Sequence, residues 1–334
     1  MINNLSVVVP VFNDWTSLRV LLDRLNDIAK APGPGIFVTV VDDGSTEPMG
    51  DSVGDLSAFT SLVGVEVVHL AVNVGHQRAI AIGLCVALEG HNLDALVVMD
   101  GDGEDPPESI STLLDRAAGR GDFCIVAQRR RRMEKLSFRI SYLLYKGVFR
   151  LVTGKEISFG NFSLTSRGYL RRLVMISELW NNLPAAILRS RLPVDKVPID
   201  RGSRYSGSSK MNFISLIVHG LSGISVYADT IFVRLLLLTI FLFTFTIVSI
   251  ATLLFIRIFH PQYATPGWAT TVSFGMIIIL MQVFFTTLSA ILMLLNSRVQ
   301  RLVLPIQEYR HYVASKRLLA GRMPVEDAGK LTES

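Results

Sequence analysis

Cysteine is scarce in this chain. Cys85 and Cys124 are the only two among 334 residues, and each sits inside an apolar segment. That excludes a disulfide or zinc framework and predicts two buried free thiols. No Gly-x-Gly-x-x-Gly follows the first apolar run; Pro10-Val-Phe-Asn13 stands there instead, which excludes a dinucleotide-binding turn. No basic stretch precedes the short apolar run in Met1–Pro10, so a secretory signal is not expected. The largest deficit is of charge. Residues 235–256 contain no Asp, Glu, Lys or Arg, and neither do residues 258–297. Crossing a hydrocarbon core takes ~20 apolar residues at ~1.5 Å rise each. Segments 235–256 and 269–295 both meet that length, so a two-helix transmembrane hairpin within 230–297 is expected.

The charges that are present are unevenly placed. Residues 1–115 carry 17 acidic and 4 basic side chains, whereas residues 116–334 carry 11 acidic and 29 basic. An acidic first half suits a divalent cation, and a basic second half suits phosphates and anionic headgroups. Nucleic acid would also suit a basic half, but the hydrophobic hairpin inside it makes that the poorer explanation. Arg298, Arg301, Arg310, Lys316, Arg317 and Arg322 follow the second span, whereas the loop His260–Trp268 has no Lys or Arg. The positive-inside rule then puts both termini and the N-terminal domain in the cytoplasm. The expected organisation is a catalytic domain over 1–210, an interfacial helix over 211–229, the hairpin, and a C-terminal tail over 298–334. A second interfacial helix is read over 136–152, where aromatic, apolar and basic residues recur at helical spacing, the alternative for both segments being helices that pack on the domain's own sheet.

The first ~130 residues alternate between two periodicities. Short β-branched runs occur at Ser6–Val11, Ile36–Val41, Val65–Leu70, Ala95–Met99 and Phe123–Ala127. Between them, Leu18, Leu21, Leu22, Leu25 and Ile28 mark one face of a helix, and Ala79, Ile82, Gly83 and Val86 mark another. This is the α/β pattern of a mostly parallel, Rossmann-like sheet covered on both faces. Ligands of such sheets collect at the carboxyl ends of strands, where Asp42, Asp43, Asp100 and Asp102 fall. Two carboxylates at i and i+2 after a strand can face one divalent ion once Gly101 and Gly103 turn the chain. Hard oxygen ligands favour Mg²⁺ or Mn²⁺.

Five motifs then occur in a specific order: Val9-Pro-Val-Phe-Asn-Asp14, Val41-Asp-Asp-Gly-Ser45, Asn73-Val-Gly-His-Gln-Arg-Ala79, Asp100-Gly-Asp-Gly-Glu-Asp-Pro-Pro-Glu108 and Arg201-Gly-Ser-Arg-Tyr-Ser-Gly-Ser-Ser-Lys210. In order and spacing the chain resembles family 2 of the inverting, GT-A-fold glycosyltransferases. More narrowly it resembles the polyprenyl-phosphate glycosyltransferases, of the dolichol-phosphate mannose synthase and bactoprenol glucosyltransferase kind. The likeness extends over nearly the whole chain, hairpin included. It implies a nucleotide-sugar donor (UDP- or GDP-linked), a polyprenyl acceptor (undecaprenyl or dolichyl phosphate), Mg²⁺ or Mn²⁺ as cofactor, and a place in the bilayer of a prokaryotic inner membrane. Self-association into a homo-oligomer is left open. By matching position, Pro10, Phe12 and Asp14 would border the nucleoside and Asp42 the base or ribose. Gln77 and Arg78 would face the donor. Asp100 and Asp102 would hold the metal–diphosphate. Arg204 and Lys210 would belong to a basic loop that closes on phosphate, hinged at Gly202 and Gly207. Asp105 would either cap the following helix or support catalysis.

The departures from the pattern are also informative. Asn161-Phe-Ser163 stands where many relatives have Asp-Phe-Arg, and an asparagine is no general base. A polyprenyl phosphate is already an anionic nucleophile, so the reaction need not have one. Glu178, beside Trp180, is the other base candidate, against a plain helix-start role. Gly101 and Gly103 replace the usual alanine and leucine, which predicts a looser loop. A processive polysaccharide synthase would add a Gln-x-x-Arg-Trp motif, which is absent. A transferase with another lipid acceptor, such as a neutral alcohol, would need the base that Asn161 cannot supply.

Overall fold

The computed structural model describes residues 2–50, 59–129, 147–155, 158–206, 221–260, 267–299 and 302–321. The chain divides into two compact units. One comprises Met1–Tyr142, Ile157–Val226 and Val303–Ser334, and the other Leu143–Glu156 and Tyr227–Leu302.

The first unit begins β1 (Asn4–Val11), α1 (Trp15–Ile28), β2 (Gly35–Asp42), β3 (Gly64–Leu70), α2 (His76–Gly90), β4 (Ala95–Val98), α3 (Ile110–Ala117) and β5 (Cys124–Arg129). These elements are the alternation expected from periodicity. It continues with β6 (Ser163–Ser166), α4 (Arg167–Leu173), α5 (Leu183–Arg189) and β7 (Asp195–Ile199). Among the described residues these strands and β8 (Val313–Gly321) form one sheet in the order β7-β5-β6-β4-β1-β2-β3-β8. The β1–β2, β2–β3, β1–β4 and β5–β7 pairs are parallel. Two pairs involving β6 are antiparallel, as is β3–β8.

Period-two alternation divides the sheet between two cores. Val7, Val9 and Val11 pack with Leu18, Leu21, Leu22 and Leu25 of α1 and Leu113 of α3. Val8, Val41, Val68 and Leu96 face the opposite way, against α2 and α4. Both cysteines are buried and unpaired as expected, and burial pushes the Cys124 thiol up to about 12. Where α2 crosses the sheet, a Cβ on Gly83 would stand 2.5 Å from Val8 Cγ1 and 2.7 Å from Val41 Cγ2. Gly83→Ala should therefore lower the thermal unfolding midpoint, since overpacking costs ~1–3 kcal/mol. An unchanged midpoint in a melt of the full chain would mean that α2 does not lie this close.

The segment read as a tail is more than that. β8 (Val313–Gly321) joins the sheet antiparallel to β3, with Val67 opposite Arg317 and Val68 opposite Lys316. Tyr309 Oη and Arg310 each meet Glu89 Oε2 at 2.6 Å, and Trp180 Nε1 donates to the Val303 carbonyl at 2.9 Å.

In the second unit, α6 (Ala228–Phe259) and α7 (Trp268–Val299) run 32 residues each, beyond the spans read from composition. Mean hydropathy in their most apolar windows is 2.5 and 2.4, with only 11% and 6% of each window buried. A soluble core helix would be mostly covered, so these two are long and apolar enough to cross a membrane. Thr239 Oγ1 and Thr287 Oγ1 join them at 2.7 Å. Of the interfacial helix expected over 136–152, residues 147–153 are helical, with Leu151 and Val148 exposed, and Arg234 donates to the Leu151 carbonyl. Residues 136–146 and 211–220 lie outside the described residues, and of the rest of the helix expected over 211–229, residues 221–225 are helical.

Candidate active site

Strand order places the site. The chain runs outward from β1 to β2 and β3, then crosses back to β4 on the other side of β1. This reversal is a topological switch point, where a crevice opens beyond the carboxyl ends of the strands. Pro10–Asp14, Asp42–Ser45 and Asp100–Asp105 lie at or just beyond strand ends there, and His76 starts α2.

The first two loops are held together by Asn13, whose φ of 49° is one that asparagine tolerates. Its Oδ1 accepts from Thr46 N at 2.9 Å and Glu47 N at 3.0 Å. Asp42 accepts Ser45 N at 2.9 Å through Oδ1. Its Oδ2 lies 2.8 Å from Nδ1 of His69, its register partner on β3. Asp43 accepts the Val74 and Gly75 amides and so fixes the start of α2, and burial pushes its carboxyl up. Phe12 is exposed, while Pro10 is buried and Asp14 half-buried. Asp42 therefore has a structural task besides any contact with a base or ribose. A carboxylate's remaining lone pairs allow both.

The Asp100–Asp105 loop and the Arg201–Tyr205 segment interlock. Gly202 N donates to the Glu104 carbonyl at 3.0 Å, and Tyr205 N to the Asp102 carbonyl at 2.9 Å. Gly103 has a φ of 91°, and a Cβ there would meet Ser203 O and the Tyr205 ring at 2.8 Å. The glycine expected to loosen this loop instead permits a close backbone fit. Across the fit, an Arg204 terminal nitrogen lies 2.5 Å from Asp102 Oδ2 and its Nε lies 3.2 Å from Glu104 Oε1. Arg201 also pairs with Glu104. Asp105 does not cap the next helical turn, whose N-cap is Pro106. It is buried and accepts the Asp100 backbone N–H at 3.0 Å, which shapes the aspartate loop from beneath.

A chain of hydrogen bonds runs from α5 to the aspartates. Leu183 N donates to Gln77 Oε1 at 2.8 Å, which leaves Gln77 Nε2 to donate to Asn161 Oδ1 at 3.1 Å. Asn161 Nδ2 lies 3.0 Å from His76 Nε2, a hydrogen bond only while that ring nitrogen is unprotonated. The same nitrogen is 3.3 Å from Asp100 Oδ1. Partial desolvation of the half-exposed His76 ring works against its charge, but Asp100, Asp43 and Asp102 outweigh it and hold its pKa above the ordinary value. The protonated Nε2 donates to Asp100 and no longer accepts from Asn161. Gln77 thus supports Asn161 from inside the fold, and His76 is the side chain that reaches the aspartates. In the sequence, the only signal for His76 is its place directly after Gly75, where α2 opens. Glu178 is held by Arg189 at 2.7 Å, which fits the plain structural role better than a base. Arg78 lines a separate cavity with Trp180 and Tyr312. Lys210 and Gly207 lie outside the described residues.

Among the described residues no cluster of three or more His, Cys, Asp or Glu is arranged to hold a metal. Asp100 and Asp102 supply hard oxygens from one short loop, which fits an ion that takes one or two protein carboxylates and completes its shell with substrate phosphates and water.

Residues 6–175 match the family model described as Glycosyl transferase family 2. The chain is 28% identical over 220 residues to an undecaprenyl-phosphate 4-deoxy-4-formamido-L-arabinose transferase of Pectobacterium carotovorum, covering 65% of each chain. The namesake protein of Klebsiella pneumoniae (strain 342) is 26% identical over 222 residues, again covering 65% of each. The matched segment thus spans slightly less than two thirds of these relatives. A solved structure of glucosyl-3-phosphoglycerate synthase from Mycobacterium tuberculosis, with Mn²⁺, UDP and glucosyl-3-phosphoglycerate, superposes with a TM-score of 0.50 at 15% identity, covering 68% of this chain and 80% of that one. That likeness shows the fold.

Proposed function

We propose, on the premise that this chain belongs to glycosyl transferase family 2, that it transfers a sugar from a UDP- or GDP-sugar to a polyprenyl phosphate. The observation that carries this reading is the interlock of the Asp100–Asp102 loop with Arg204 at the switch point. Two curated relatives named for undecaprenyl phosphate support the acceptor class, and two membrane-capable helices suit an acceptor confined to a bilayer.

In the reaction an acceptor phosphate oxygen attacks the anomeric carbon from the face opposite the leaving group. The new C–O bond forms as the bond to the nucleoside diphosphate breaks, with inversion. The nucleophile is already an oxyanion at neutral pH, so no proton need be removed, in keeping with Asn161 where a carboxylate base would stand. Asp100 and Asp102 would hold Mg²⁺ or Mn²⁺, which would neutralise charge on the departing diphosphate. Arg204 and Lys210 would contribute fixed cations to the same charge. The basic residues after the second span support a catalytic unit on the cytoplasmic face of an inner membrane.

The test supplies membranes containing the protein with undecaprenyl phosphate and a panel of radiolabelled UDP- and GDP-sugars. A lipid-extractable product of inverted configuration is expected from at least one donor. No such product from the whole panel would overturn the reading.

A further inference from the structure

We propose that the cavity around Arg78 receives the phosphate and first isoprene units of the prenyl phosphate acceptor, a proposal that rests on the transfer reaction above. The cavity measures about 400 Å³, and Arg78, Glu178, Trp180, Asn181, Val303 and Tyr312 are among its walls. That is within the ~300–1,000 Å³ typical of small-molecule sites.

Its charge favours an anion. Glu178 is neutralised by Arg189 at 2.7 Å, whereas among the described residues Arg78 has no carboxylate within ion-pair distance. Arg78 also lies in the first turn of the 15-residue α2, at the positive end of the helix dipole. The remaining wall is aromatic. The Trp180 and Tyr312 rings are 5.6 Å apart and tilted by 59°. The indole N–H is already satisfied by the Val303 carbonyl at 2.9 Å, which leaves apolar ring faces. A cation beside fixed aromatic faces matches a phosphate joined directly to unsaturated hydrocarbon. Val303 comes four residues after the end of α7, so this wall is built by the chain leaving the second membrane-capable helix.

The cavity and the aspartate loop both meet the first turn of α2. His76 and Arg78 are two residues apart, ~200° around the helix, so one faces Asp100 and the other the cavity. Gln77 between them is bonded to Leu183 N, two residues beyond Asn181. Arg78 thereby moves from the donor role that family resemblance implied to an acceptor role.

Steady-state kinetics of the full chain in lipid nanodiscs separate the two roles. Arg78→Ala should raise KM for undecaprenyl phosphate about fivefold, ~1 kcal/mol as suits a solvent-exposed charge. KM for the nucleotide-sugar should not change, and Arg78→Lys should recover part of the loss. A rise in donor KM instead, or no change in either, overturns the proposal. In a Trp15→Phe, Trp268→Phe background, Trp180 fluorescence should respond to a short prenyl phosphate and respond less with Arg78→Ala. Equal responses to inorganic phosphate or phosphatidylglycerol vesicles would make this a general phosphate site and also overturn it. If the protein transferred no sugar to any prenyl phosphate, the reaction reading would fail, while the fluorescence titration would still decide what the cavity binds.

Discussion

Asp102→Asn is expected to lower sugar transfer at least ~100-fold, ~2.7 kcal/mol in the transition state, while the thermal unfolding midpoint stays close to the parent's. The two expectations come from the same geometry. Asp102 Oδ1 accepts the Glu104 backbone N–H at 2.9 Å, a bond that the amide oxygen of asparagine preserves. Oδ2 faces the basic segment and is the atom available to a cation. Asparagine removes the negative charge there and turns an amide nitrogen toward Arg204 in place of a carboxylate oxygen, so one partly solvated ion pair is lost while the backbone bond stays, and the loss should fall mainly on chemistry. EDTA should stop turnover, and Mg²⁺ or Mn²⁺ should restore it. Asp100→Asn should act in the same direction, and more mildly if Asp100 contacts the ribose. Full activity of the parent enzyme in chelator would refute the metal role of the pair.

The second large effect is expected at Arg204. Arg204→Ala should lower turnover at least ~10-fold, ~1.4 kcal/mol, with little change in stability. The Arg204 side chain is 28% exposed and Asp102 17%, so the pair is partly buried, but Arg201 still pairs with Glu104 once Arg204 is gone, which limits the cost to the fold. A divalent ion at Asp102 would compete with Arg204 for the same oxygen. The guanidinium would then be left beside the diphosphate, whose charge it would stabilise most as the bond to the sugar breaks. A guanidinium offers a two-pronged fork that an ammonium lacks, so Arg204→Lys should also be impaired. Lys210→Ala is expected to resemble Arg204→Ala. Lys196→Ala is the control. Lys196 lies on β7 with its Nζ 2.9 Å from Ser158 Oγ, apart from the interlocked loops, and should be near neutral. Equal losses in all three variants, and only at high salt, would make these residues a surface-charge feature.

The chemistry of the site was legible early because it depends on local sequence. A β-branched run followed by Asp-x-Asp announces a strand end with two carboxylates, whatever the rest of the chain does. The hairpin was equally plain, because ~20 uncharged apolar residues have few alternatives to a bilayer. β6, with the sequence Ser-Leu-Thr-Ser, was not legible. Its polar composition hides a strand that is fully buried and antiparallel to β4 and β5.

Residue type and order thus determined by themselves the α/β class, the first five strands, the acidic strand ends, the buried thiols and the two membrane-capable helices. Each of these follows from periodicity or composition within a few neighbouring residues. Tertiary structure alone decided which of the candidate residues act together. Asn13 reaches the loop after β2 across about thirty residues of sequence, and Leu183 orients Asn161 through Gln77. Arg204 meets Asp102 across 102 positions, and β8 returns from beyond the hairpin to pair with β3. β8 has mostly exposed side chains and no clean alternation. What defines it is a ladder of backbone hydrogen bonds to a partner strand, and backbone groups are the same in every residue.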